Sequence, residues 1–122
     1  MNMLKTEGIP IWVTIFALLV FLSGAMASIA ILNGTHGMDS GFALSWAGRN
    51  FGLGLIAALA VFLKSATAYL VAFIGGIFRE TSDLVGELSK AEPNMGIIAF
   101  LVVFLVGGVI GVRVANNART KR

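Results

Sequence analysis

Four stretches of the chain are apolar and regular enough to read as helices, with short polar breaks between them. The first, residues 9–32, carries no charge. At about 1.5 Å of rise per residue, about 20 residues of helix cross a hydrocarbon core of about 30 Å, so this stretch suffices alone. Lys5 and Glu7 precede it, Pro10 stands at its start, Trp12 stands where an interfacial anchor belongs, and Asn33-Gly34-Thr35-His36-Gly37 offers turn and cap residues after it. It exceeds the roughly 7 to 15 apolar residues of a cleaved signal peptide, so it is expected to remain as a membrane helix. Residues 95–112 are almost as plain: they follow Pro93-Asn94, end at Arg113 and a polar tail, and place Gly107 and Gly111 at the spacing that lets helices approach closely.

The middle of the chain is less uniform. The uncharged runs 51–63 and 65–78 are each too short to span a bilayer. Extending the first backward takes in Arg49, Trp46 and Phe42. Extending the second forward takes in Arg79, Glu80 and Asp83, so charges are expected at membrane depth. The short Lys64-Ser65-Ala66-Thr67 junction makes the two an antiparallel hairpin, with Arg49 and Glu80 about 15 residues from the turn on either arm and therefore level. The pattern predicts an all-α fold: a four-helix transmembrane bundle in a single domain, with helices about 9–32, 42–63, 66–87 and 95–114.

Composition and charge sharpen this picture. Of the 122 residues, 57% are hydrophobic and 12% charged, with 15 glycines, two prolines and no cysteine. A water-soluble domain needs more polar surface. The lack of cysteine excludes disulfides, thiolate catalysis and cysteine-ligated zinc. The net charge of +3 comes from residues scattered at helix ends, without the basic stripe of a nucleic-acid binder. Lys5, Lys64, Arg113, Arg119, Lys121 and Arg122 gather at one side with the single acid Glu7. By the positive-inside rule that side is cytoplasmic, with both termini inside. His36, Asp39, Glu87, Lys90 and Glu92 fall on the other.

One constellation has chemical potential. Tyr69, Gly76, Glu80, Asp83 and Glu87 fall within roughly 60° of arc on the third helix. Arg49 on the second is bracketed by Gly48 and Gly52, a small-xxx-small pair. Ionised groups inside a membrane seek partners, so Arg49 is expected to pair with Glu80 or Asp83, and Arg79 with Asp83 one turn on. The cluster of Arg49, Arg79, Glu80 and Asp83 then either floors and walls an outward-facing pocket, with Trp46, Tyr69 and Gly76 as further lining, or only locks the hairpin. His36 with Asp39 is too sparse for a metal site, no serine or threonine has a base beside it, and no cofactor motif is present.

The segments Trp46-Ala47-Gly48-Arg49-Asn50-Phe51-Gly52-Leu53-Gly54-Leu55 and Phe73-Ile74-Gly75-Gly76-Ile77-Phe78-Arg79-Glu80-Thr81-Ser82-Asp83 resemble the small bacterial four-helix membrane proteins of the DoxX-like group and its uncharacterised relatives. The resemblance runs over residues 45–111. Those families carry an arginine in a glycine-rich second helix and an arginine followed by an acid late in the third, which Arg49, Arg79 and Asp83 would match. It implies a four-helix bundle in a bacterial inner membrane, without a settled activity; some members are partners of oxidoreductase systems. Helix one lacks the acid by which small multidrug transporters couple protons, and the paired polar motifs of small fluoride channels are missing. The expected function is that of a structural or accessory subunit, contacting membrane lipids and either other membrane subunits or further copies of itself. The alternative is a small-ligand binder or transporter using the Arg49, Glu80 and Asp83 pocket.

Overall fold

The computed structural model describes residues 5–34 and 40–121 and is all-helical among them. Helix α1 is Ile11–Asn33, α2 Ser40–Leu63, α3 Ala66–Leu88 and α4 Met95–Thr120. Local chemistry sets the ends. Pro10, which has no N–H to lose, precedes α1, and its carbonyl accepts from the Val13 amide at 3.0 Å. The Ser65 side chain accepts from the Ala68 amide at the start of α3, and Asn94 caps α4 by accepting from the Gly96 and Ile97 amides. Lys64 turns the chain between α2 and α3 in the left-handed region, at φ 51°.

Three of the four helices have both ends within about two residues of expectation. The fourth does not, because α4 continues past residue 114 to Thr120. The polar tail is helical because its inner face is small and apolar: Ala115 and Ala118 are buried. Ahead of α1, the turn at Thr6–Ile9 lays Gly8, at φ 79°, against Ala118.

Packing divides the molecule into two hairpins, α1 with α2 and α3 with α4, while α2 touches α3 less extensively. The first seam closes where Gly24 meets the Asn50 carbonyl and Gly54 meets the Phe21 backbone; a Cβ on Gly24 would stand 2.6 Å from that oxygen. Ser28 Oγ, placed to donate to Gly24 O at 2.7 Å, also reaches Ala47 O across the seam at 2.8 Å. The expected pair Gly48 and Gly52 takes no part, since neither has anything within 4 Å of where a Cβ would stand. On α4, Gly107 receives the Phe16 ring and Gly111 the Phe73 ring, so these glycines admit aromatic side chains of α1 and α3 instead of a helix backbone.

The hairpins join at the end holding the start of α1, the α2–α3 turn and the end of α4. There Ile9, Val13, Ala17, Ala57, Val61, Tyr69, Phe73 and Ala115 form one buried cluster. Phe16 sits against Phe73 and Phe104, with ring centroids 5.8 and 5.4 Å apart. At the opposite end the hairpins do not close on each other.

The outward faces are apolar. Ile15, Leu19, Leu22, Met26 and Ile29 of α1 and Val103, Val106 and Val109 of α4 are all exposed. Such surface in water marks an interaction site, and a helix apolar all round belongs in a core or a membrane. Helices α1, α2 and α4 are long and apolar enough to cross a membrane. Helix α3 is 23 residues long but its charges keep it outside that class.

Candidate functional site

Where the hairpins part, a cavity of about 1000 Å³ opens. Helix α1 borders it with Ser23, Gly24 and Ala27, of which Gly24 lies in the close seam with α2. Helix α2 contributes Phe42, Trp46, Arg49 and Asn50; α3 contributes Arg79, Glu80, Asp83 and Glu87; and α4 closes the far wall with Ile97, Phe100 and Leu101. Most of the wall is apolar, with its charge concentrated on α3 and at Arg49.

Each charge in this wall is paired. Arg49 Nη2 donates to Asp83 Oδ1 at 3.1 Å and bridges α2 to α3, the two side chains keeping 42% and 25% of their exposure. Arg79 Nε donates to Glu80 Oε1 at 2.9 Å, joined by a contact from Nη2 to the same oxygen, and both side chains are only 5% exposed. Adjacent residues on a helix point about 100° apart, so Arg79 must fold its long chain round to reach Glu80. Glu87, also buried, accepts from Lys90 Nζ at 2.9 Å and from the Asn94 amide at 2.8 Å, tying the α3–α4 connection to the end of α3.

The expected residues are thus placed as follows. Arg49, Arg79, Glu80, Asp83 and Trp46 all border the cavity. Of the two acids offered to Arg49, Asp83 takes it, one turn further from the hairpin turn than the level expected. The expected Arg79–Asp83 bridge within α3 is replaced by Arg79–Glu80, because Asp83 is engaged from α2. Tyr69 lies on the same inward stripe as Glu80 and Glu87, but at the closed end. It is fully buried there, its hydroxyl 3.0 Å from Thr14 Oγ1, and does not line the cavity. Gly76 stands between the two regions and does not line it either. His36 and Asp39 lie outside the described residues.

Sequence reasoning missed two contributors. Asn50 is buried, donates from Nδ2 to Trp46 O at 2.9 Å and presents its own carbonyl to Gly24; its place next to Arg49 was the available signal. The role of Glu87 and Lys90 as a loop tie required knowing where α4 begins. In comparison with known proteins, no family model, no curated sequence and no solved structure matches the chain. The site's chemistry therefore has to be argued from its own residues.

Proposed function

We propose that this chain is a multi-pass integral membrane protein that holds a small molecule in the cavity between its two hairpins. The observation that carries the reading is a space of about 1000 Å³, at the upper end of the roughly 300 to 1,000 Å³ of ordinary ligand pockets, walled by three ion pairs in an otherwise apolar bundle. Locking a hairpin takes one ion pair and no void. Charged groups at membrane depth cost roughly 2.5 to 3.5 kcal/mol each near the centre when isolated; Glu87–Lys90 ties the α3–α4 connection, which leaves Arg49–Asp83 and Arg79–Glu80 beside an open space, one pair more than locking the hairpin takes.

Helix α3 crosses the membrane in this proposal. Its 23 residues reach about 34 Å, and its ionic side chains meet the cavity and their partners instead of lipid. The basic residues Lys5, Lys64, Arg113, Arg119 and Lys121 belong to the closed end, and the positive-inside rule supports a cytoplasmic side for that end and both termini. The cavity then opens to the opposite side of that membrane.

A second reading, a subunit of a larger assembly, draws on Gly48 and Gly52. They form a small-xxx-small pair with open space over both positions, which a partner helix would fill. The two readings are separated by purifying the protein in mild detergent and recording native mass spectra of wild type and Arg49→Ala. A small molecule held by wild type and lost from the variant, with thermal unfolding still cooperative, is the expected result. A stoichiometric protein partner with no bound small molecule would replace the first reading with the second.

A further inference from the structure

We propose that the occupant of this cavity is a zwitterionic amphiphile, its charged head at the Arg49–Asp83 pair and its apolar body along Phe42, Trp46 and Phe100. The inference rests on the ligand-binding reading and adds the chemistry of the ligand. It starts from the charge of the wall: the three cations Arg49, Arg79 and Lys90 stand against the three carboxylates Glu80, Asp83 and Glu87. An anionic or a cationic ligand would leave one uncompensated charge against a wall that is otherwise balanced and mostly apolar. A head bearing both charges can exchange into an existing pair without changing the sum.

Exposure says which pair exchanges. Arg79 and Glu80 are both 5% exposed and held together by two contacts, whereas Arg49 and Asp83 keep 42% and 25% and share one hydrogen bond across two helices. The head group therefore belongs at Arg49 and Asp83, its anionic part on the guanidinium and its cationic part on the carboxylate. The apolar majority of the wall then requires an apolar body, and Trp46, Phe42 and Phe100 are the aromatic side chains that line it.

The chain's two tryptophans make the test direct. Trp46 lines the cavity and Trp12 does not, so a Trp12→Phe protein in dodecyl maltoside micelles reports cavity occupancy through Trp46 fluorescence. The probes are dodecylphosphocholine, dodecyl phosphate as its singly charged methyl ester, and dodecyltrimethylammonium, compared as mole fractions in the micelle. We expect saturation by the zwitterion at a mole fraction about tenfold below either charged probe. Adding Asp83→Asn leaves one excess cation and should move the preference about tenfold toward dodecyl phosphate; adding Arg49→Gln should move it equally toward dodecyltrimethylammonium. A charged probe that wins in the Trp12→Phe parent, or an order that ignores both substitutions, overturns the zwitterion while leaving the ligand-binding reading intact. Displacement of dodecylphosphocholine by glycerophosphocholine, a chainless phosphodiester of the same net charge, overturns the amphiphile and assigns a water-soluble zwitterion. No saturable response to any probe, together with no small molecule retained by the purified protein, overturns both readings.

Discussion

Gly24 and Gly48 are the same residue type one helix apart, and the fold uses them in opposite ways. A Cβ on Gly24 would stand 2.6 Å from Asn50 O, inside the α1–α2 seam, while one on Gly48 would meet nothing within 4 Å. Gly24→Ala is therefore expected to destabilise the protein by about 1 to 3 kcal/mol, since a backbone oxygen cannot yield as a side-chain end can. Gly48→Ala should be neutral or slightly stabilising through its gain of up to about 1 kcal/mol in helix propensity. Denaturant titration of both variants in one detergent checks the contrast, and equal losses would show that the seam is not where stability is held. The spacing of glycines in the sequence marked sites of close approach without saying what approaches: a backbone at Gly24, phenyl rings at Gly107 and Gly111, nothing at Gly48 and Gly52. The ion pairs were legible to the same depth. That Arg49 would find an acid follows from the cost of leaving it alone; that the acid is Asp83, which leaves Arg79 to Glu80, is a choice between two acids that no spacing encodes.

At the scale of elements, α4 owes its start to Asn94, whose side chain accepts from two amides that would otherwise lack partners. Asn94→Ala should cost about 0.5 to 2 kcal/mol, seen as a lowered unfolding midpoint. Because Glu87 holds the Asn94 backbone and not its side chain, the Glu87–Lys90 tie should survive, so adding Lys90→Ala should add only that variant's own loss. A loss larger than the sum of the single variants would show that cap and tie act as one unit. The helices were legible from apolar run lengths and from Pro10, Ser65 and Asn94. The far end of α4 was not, because the polar residues 113–120 read as a tail; Ala115 and Ala118, three apart on the buried side, were the signal that the helix continues.

For the molecule as a whole, the asymmetry between its two ends was the least legible property. Both ends of the bundle carry small residues and aromatics in similar measure, and only the pairing of α1 with α2 and α3 with α4 leaves one end filled and the other open. Since the chain has no native cysteine, single replacements can map this. Ser82→Cys borders the cavity and Val13→Cys lies in the closed core. A charged maleimide added from outside intact cells should label the first and not the second. Labelling of Ser82→Cys only after the cells are opened would reverse the proposed orientation, and labelling of Val13→Cys would contradict a filled closed end.

Helix α3 also bears on how the chain is made. Of the four helices it alone lacks the apolarity to leave an aqueous channel for lipid by itself, and its long seam is with α4, whose sequence is among the most apolar in the chain. If α3 crosses the bilayer as proposed, its partition into lipid has to wait until α4 has been synthesised, so that the two depart as a pair with the charges of α3 turned inward. The order of biogenesis would then be two hairpins delivered in succession, and a ribosome that stalls after residue 88 would leave α3 stranded at the translocation machinery.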